Sequence, residues 1–166
     1  MTSLIVDAHQ DIAYNMLTLG RDYRRSVAQT RALEGNADGQ LLATLSLPDA
    51  LRGGVGIVFA TLFTEPARKR MDPESPLGPA TYRTPQEAYE AAIRQYDVYQ
   101  RLFDEVPQLA RVTTKAELDA VLATWADSAP PEGRQQGVVL LMENGDPILD
   151  PPQFEEWYAR GVRIVG

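Results

Sequence analysis

The 166-residue sequence contains no cysteine and a single histidine, His9. Without cysteine the chain cannot form a disulfide framework, a thiolate zinc site or a catalytic thiol. One imidazole per chain also excludes a zinc site that is built within one chain from histidines alone. A metal centre in this chain therefore needs ligands of another kind beside His9, and carboxylates are abundant.

Positive charge and long apolar runs are also scarce. The chain has 16 Lys and Arg against 23 Asp and Glu, a formal net charge of −7, so binding to a phosphate backbone is disfavoured. No apolar run approaches the roughly 18 residues that a membrane helix needs, and the start lacks the basic and apolar regions of a signal peptide. We therefore expect a cytoplasmic protein that binds neither nucleic acid nor membrane.

Enough apolar sequence is present for a packed core, at 44% of residues. Short apolar strands alternate with helices along the chain. Strands are predicted at 4–6, 55–63, 109–112, 137–142 and 162–165, and helices at 12–19, 47–51, 84–106, 114–125 and 152–160. Three segments lack either pattern, and we expect an irregular stretch at 21–40 and flexible loops at 64–84 and 126–136.

This alternation predicts an α/β fold in which helices cover a parallel sheet. Two arrangements remain open, a small flavodoxin-like parallel sheet and the N-terminal part of an eight-stranded (β/α)8 barrel. The length favours the first, because a full barrel usually needs about 250 residues. The end of the sequence in a predicted strand favours the second, because an open sheet normally ends with a covering helix.

The first predicted strand ends in residues that could bind a metal. His9 and Asp11 are separated by one residue, so their side chains share a face of the strand, and Asp7 lies in the same register. In parallel α/β folds the carboxyl ends of the strands carry the functional sites. An imidazole and a carboxylate are suitable zinc ligands. Asp7 would not bind the metal itself but would contact these ligands and help to orient them. The alternative is a buried histidine whose hydrogen-bonding needs are met by a neighbouring aspartate.

Glu143 directly follows the apolar run 137–142. It therefore lies at the mouth of a buried strand, where an unpaired carboxylate is costly. A helix cap or a salt bridge to an arginine is the alternative role. Taken together, the two strand ends present an imidazole and two carboxylates, which is enough to hold one divalent metal.

Five segments resemble, in order, the membrane (renal) dipeptidase family of zinc-dependent dipeptidases. The stretch 4–11 is similar to its opening strand, where D-G-H-N-D is typical, and 140–146 is similar to its G-x-E-G-G-H segment. The remaining three segments are 47–63, 96–114 and 158–165. The resemblance implies an amidohydrolase-like TIM barrel, of which residues 1–166 would be a single, incomplete α/β unit from the N-terminal half.

The resemblance also implies roles for individual residues. His9 and Asp11 would hold one zinc, and Glu143 would be the catalytic residue that bridges it to a second. A hydroxide between the metals would attack the scissile carbonyl of a dipeptide. The sequence departs from the family at Asn144 and Asp146, where glycine and histidine are usual. The family takes its further histidines from later strands, so this chain would fully ligand at most one metal.

Two hypotheses about function follow. In the first, the chain belongs to a metallodipeptidase and is inactive alone, because half a barrel leaves an unpaired strand edge. A homodimer or a complementary C-terminal fragment would then cover that edge. In the second, the chain is a non-catalytic, truncated or degenerate relative that acts as a binding or scaffold module.

Overall fold

A computed structural model describes residues 4–35, 42–67 and 81–166. These ranges form strands and helices in alternation. The strands are β1 Ile5–Gln10, β2 Val55–Leu62, β3 Glu65–Pro66, β4 Thr81–Tyr82, β5 Leu109–Arg111, β6 Gln136–Met142 and β7 Val162–Val165. The helices are α1 Ile12–Leu19, α2 Val27–Glu34, α3 Leu47–Gly53, α4 Pro85–Glu105, α5 Lys115–Ala123 and α6 Gln153–Ala159.

The main sheet has five strands, and every pairing in it is parallel. β1 pairs with β2, and β2 pairs with β6. On the side of β6 away from β2, two strands pair with it in succession. β5 pairs with Gln136–Val138, and β7 pairs with Leu140–Met142. β3 and β4 form a separate two-stranded parallel pair.

One face of the sheet is covered by the helices that connect its strands. Alternate residues of β2 and β6, such as Val58 and Leu140, are fully buried there. They pack against Ile12 of α1, Tyr99 of α4 and Trp157 of α6. The connections from β1 to β2, from β2 to β5 and from β6 to β7 therefore pass over the same face, while α5, which connects β5 to β6, packs on the other face. Apart from β5, the strands β1, β2, β6 and β7 follow one another in chain order across the sheet. This is the winding of a barrel segment, whereas a flavodoxin-like sheet has helices across the whole of both faces.

The predicted helix starts are confirmed at α4 and α5. Thr84 and Glu87 form a capping box at the first of these helices, and Thr114 and Glu117 form one at the second. The predicted end of α1 is also confirmed, since Gly20 adopts a left-handed conformation with a φ of 64° that glycine tolerates best.

The expectation of an irregular stretch at 21–40 is wrong for residues 27–34. Helix α2 forms there, and it begins with a capping box between Ser26 and Gln29. Thr30 is its one buried residue. The helix thus has no apolar stripe, which is why periodicity does not reveal it. Residues 36–41 lie outside the described part of the chain.

The predicted loops contain more regular structure than their composition suggests. Strands β3 and β4 lie within 64–84, while residues 68–80 are outside the described ranges. The segment 126–136 contains a short 3-10 turn at Pro131–Gly133 and ends where β6 begins. The flexibility of both loops stays a prediction.

The opposite face of the sheet is covered only in part among the described residues. Helix α5 packs Val121 and the following Trp125 against Ile57 at the amino end of the strands. Further along this face, Val6 is 54% exposed and Ile164 is 38% exposed. None of the described helices combines the length and the apolar character that crossing a bilayer would require.

Candidate metal centre

The structure brings together His9, Asp11 and Glu143 at the carboxyl edge of the main sheet. His9 lies near the end of β1, Asp11 precedes α1, and Glu143 directly follows β6. His9 Nε2 lies 2.9 Å from Glu143 Oε1 and 3.4 Å from Asp11 Oδ1. One ligand atom from each residue lies within 4.8 Å of the other two. The convergence arises because β1 and β6 flank β2 in a parallel sheet, so their carboxyl ends meet.

Local irregularity at the end of β1 helps to direct His9. The pairing of β1 with β2 shifts register between Asp7 and Gln10, the interval that contains His9. Such irregularities re-aim side chains and are common beside functional sites. Asp7 accepts hydrogen bonds from the His9 backbone N at 3.1 Å and from Gln10 Nε2 at 2.9 Å. Asp7 therefore contacts the backbone of His9, and its supporting role at the site stays a prediction.

Asp11 occupies the N-cap position of α1, but its side chain does not cap the helix. An N-cap aspartate usually accepts a hydrogen bond from a backbone N–H in the first turn. Here Oδ1 instead accepts from the hydroxyl of Thr61 on β2, at 2.6 Å. The carboxylate is thereby directed toward His9 and Glu143 rather than toward the helix.

Glu143 is the least exposed of the three side chains. Its side chain is 22% exposed, compared with 36% for Asp11 and 53% for His9. Burial raises the pKa of Glu143, the negative charge of Asp11 raises it further, and His9 opposes the increase. Two carboxylates thus crowd one imidazole at a half-buried position.

The donor set fits one divalent metal of the zinc type. Imidazole nitrogen and carboxylate oxygen are both zinc ligands, and catalytic zinc sites commonly use three protein ligands with one open position. A cation at this point would also offset the repulsion between Asp11 and Glu143. Because all three side chains keep some exposure, the site is reachable from solvent.

The turn after Glu143 is tied to the end of β2. Asn144 Nδ2 donates to the backbone O of Thr64 at 2.8 Å, and the Thr64 hydroxyl donates to Asn144 Oδ1 at 3.2 Å. The hydroxyl of Tyr82 donates to Asp146 Oδ2. The pKa of Tyr82 rises to about 12, mainly through burial and then through Asp146. The two positions that depart from the family pattern therefore both take part in hydrogen bonds that hold this turn.

Sequence reasoning missed Thr61 and Thr64 around the centre, and it did not predict the hydrogen bonds that Asn144 makes with Thr64. The available signal was Thr61 within the otherwise apolar run 55–63 and Thr64 directly after it. Their partners are Asp11, which directly follows β1, and Asn144, which lies after β6, so the contacts depend on sheet order, which the sequence pattern does not give.

Comparison with known proteins gives one family and several solved structures. The model of the family described as membrane dipeptidase, peptidase family M19, matches residues 1–166. A probable dipeptidase, PvdM, from Pseudomonas aeruginosa is similar at 20% identity and a TM-score of 0.66, over 99% of this chain and 34% of its own. Dipeptidase AC, a metallopeptidase of family M19, is similar at 18% identity and 0.65, over 100% of this chain and 43% of its own.

A third similar structure is a metallopeptidase from Rhodobacter sphaeroides, bound to a phosphinate mimic of the dipeptide L-Ala-D-Ala. It has 16% identity and a TM-score of 0.64, over 99% of this chain and 45% of its own. The chain thus spans between about a third and a half of the length of these three proteins. No curated protein matches the sequence at a significant level.

Proposed function

Because the chain belongs to the membrane dipeptidase family, peptidase family M19, we propose that it takes part in the zinc-dependent hydrolysis of dipeptides. The observation that carries this proposal is the convergence of His9, Asp11 and Glu143 at one edge of the sheet. These residue types suit a hydrolytic zinc site, and their place at the carboxyl ends of parallel strands is where barrel enzymes build such sites.

In this proposal His9 and Asp11 would hold one zinc, and Glu143 would be the catalytic residue and a ligand shared with a second metal. Zinc, when bound, would supply Lewis acidity and would make water a stronger nucleophile toward the dipeptide carbonyl. The chain's own contribution is to hold one imidazole and two carboxylates in place. The low exposure of Glu143 supports its assignment, because a charged ligand in a partly desolvated position acts more strongly on nearby charge.

We further propose that the chain is inactive by itself, since it supplies the ligands of one metal only. A homodimer or a complementary C-terminal fragment would complete the site. Exposed apolar residues on the face of the sheet opposite α1, α4 and α6, namely Val6 and Ile164, support such an association. So does the pairing of β1 and β7 on one side only within the described part of the chain. The cytoplasmic location stays a prediction.

Zinc binding and dipeptide hydrolysis, measured on the same purified chain, test the proposal. We expect one zinc per chain by calorimetric titration and no hydrolysis of L-Ala-D-Ala above the zinc-only background. His9→Ala is the control, because this exposed side chain can be removed without opening the core. In that variant the zinc binding should be lost while the melting temperature of the metal-free chain stays the same.

Other results would contradict parts of the proposal. A chain that binds no zinc and tolerates His9→Ala without change would favour a non-catalytic binding or scaffold module. Zinc-dependent hydrolysis by a monomer, abolished in His9→Ala, would show that the chain needs no companion. A purely monomeric sedimentation profile at micromolar concentration would contradict the homodimer.

A further inference from the structure

Thr61 is a fully buried polar residue between the two strands that end in the candidate ligands. It lies near the carboxyl end of β2, pairs with Leu141 of β6, and has no exposed surface. Its backbone O accepts a hydrogen bond from the hydroxyl of Tyr99 at 2.9 Å. The backbone at this position is thus anchored to α4, and the side chain starts from a fixed point.

The hydroxyl of Thr61 makes a short contact with a candidate ligand. Thr61 Oγ1 donates to Asp11 Oδ1 at 2.6 Å, the length of a charge-assisted hydrogen bond between a hydroxyl and a carboxylate. The same oxygen of Asp11 lies 3.4 Å from His9 Nε2. The contact therefore bears on the oxygen of Asp11 that faces the imidazole.

We propose that Thr61 is a positioning residue of the metal centre, whose hydroxyl fixes the Asp11 carboxylate in the orientation that meets His9 and Glu143. The inference rests on the proposed function for the identity of the bound species. The contact itself does not depend on that function. No helix-capping bond competes for the Asp11 side chain, and its contact with the Thr61 hydroxyl at 2.6 Å is shorter than its 3.4 Å contact with His9 Nε2.

The physical reason lies in the freedom of a carboxylate. The terminal torsion of an aspartate side chain is broad, so an unsupported Asp11 would lose conformational freedom each time a metal binds. Because Thr61 is rigidly held and buried, that ordering takes place during folding. Partners that orient metal ligands in this way typically change metal affinity by about 10–100-fold when they are removed.

Three variants of the full chain separate this role from simple packing. Thr61→Val keeps the shape and removes the hydroxyl, Thr61→Ser keeps the hydroxyl and removes the methyl, and Thr30→Val changes a buried threonine of α2 as the matched control. For zinc binding by calorimetry, we expect Thr61→Val to raise Kd by about 10–100-fold. The zinc Kd of Thr61→Ser and of Thr30→Val should stay within about threefold of the wild-type value, well below the change expected when a supporting contact is lost.

Two results would overturn the proposal. One is a Kd for Thr61→Val that equals that of the wild type. The other is a tenfold loss of zinc affinity in Thr61→Ser, which would assign the effect to packing of the methyl group. The Thr61→Ser variant keeps the proposal open to contradiction if Thr61→Val does not fold.

Metal-free crystal structures of the wild type and of a Thr61 variant distinguish a failure of this proposal from a failure of the proposed function. If the wild type binds no zinc, the proposed function fails, and the Asp11 rotamer still tests Thr61. We expect Asp11 to turn away from His9 in Thr61→Val and to keep its wild-type rotamer in Thr61→Ser. An unchanged rotamer in Thr61→Val, or one lost in Thr61→Ser, would overturn the role of Thr61 without any metal being involved.

Discussion

The helix-covered face of the sheet and its carboxyl edge differ in almost every physical property. On the face, Leu62, Leu140 and Met142 have no exposed surface and pack against helices. At the edge, His9 and Asp11 remain at least a third exposed and lie beside another carboxylate. The face contributes burial of apolar area, whereas the edge brings the carboxylates of Asp11 and Glu143 together beside a single imidazole.

This difference separates stability from function within a few ångströms of the same strands. Burial on the face favours folding, while at the edge burial, and then the negative charge of Asp11, raise the pKa of Glu143 and disfavour its charged form. Functional sites commonly depart from local rules of stability in this way. Substitutions on the face should therefore unfold the chain, and substitutions at the edge should alter binding and leave the fold intact.

The largest effect is expected on the covered face. Leu140→Ala removes a fully buried side chain and should lower the free energy of unfolding by about 2–5 kcal/mol, measured by urea denaturation. Leu122→Ala, at a 40% exposed position on α5, is the matched control and should cost less than about 1 kcal/mol. Equal losses in the two variants would show that the face does not carry the stability.

The next effect is a loss of binding at the edge. Glu143→Gln keeps the shape of the side chain and removes the ligand charge, so zinc affinity should fall by more than about 100-fold, beyond the range for supporting contacts. The free energy of unfolding of the metal-free chain should stay the same or rise, because the repulsion from Asp11 is relieved. Glu155→Gln on α6 serves as the control. A clear loss of metal-free stability in Glu143→Gln would contradict the separation of edge and face.

The turn that carries Glu143 should show an intermediate effect on both properties. Asn144→Ala removes the hydrogen bonds to Thr64 and leaves the backbone carbonyl of Thr64 without the Asn144 donor. The free energy of unfolding, measured in urea, should fall by about 1–2 kcal/mol. Zinc affinity should fall with it, because the neighbouring Glu143 loses its support. Stability reduced with an unchanged zinc Kd would show that Asn144 holds the turn but not the ligand.

The smallest effect is expected far from the edge, at the start of α5. Hydrogen bonds from Thr113 and Thr114 lower the pKa of Glu117 from 4.5 to about 2. Since the folded-state value lies below the unfolded one, this contribution to stability is present above pH 4.5 and is lost as the pH falls to about 2. Glu117→Gln should therefore cost about 0.5–1 kcal/mol at pH 7 and almost nothing near pH 2. A cost that stays constant over that range would contradict the stated cause.

Elements whose signal is local could be predicted from the sequence. The capping boxes at Thr84 and Thr114 give the starts of α4 and α5, and apolar runs give β2 and β6. Helix α2 could not be found in this way, because it buries a single residue and has no periodic stripe.

The candidate site divides in the same way. His9, Asp11 and Glu143 follow apolar strands, so their place at a strand end is readable from sequence. The hydroxyl of Thr61 is not, because a lone threonine in the apolar run 55–63 looks the same whether it orients a ligand or only packs. Thr61 and Asp11 are 50 residues apart in the sequence, and the pairing of β1 with β2 brings them into contact.

A zinc-soaked crystal with anomalous diffraction at the zinc edge tests the central claim most directly. The account predicts an anomalous peak within about 2.0–2.2 Å of a His9 nitrogen and of carboxylate oxygens from Asp11 and Glu143. Zinc bound elsewhere on the chain, with no peak among these three residues, would contradict it.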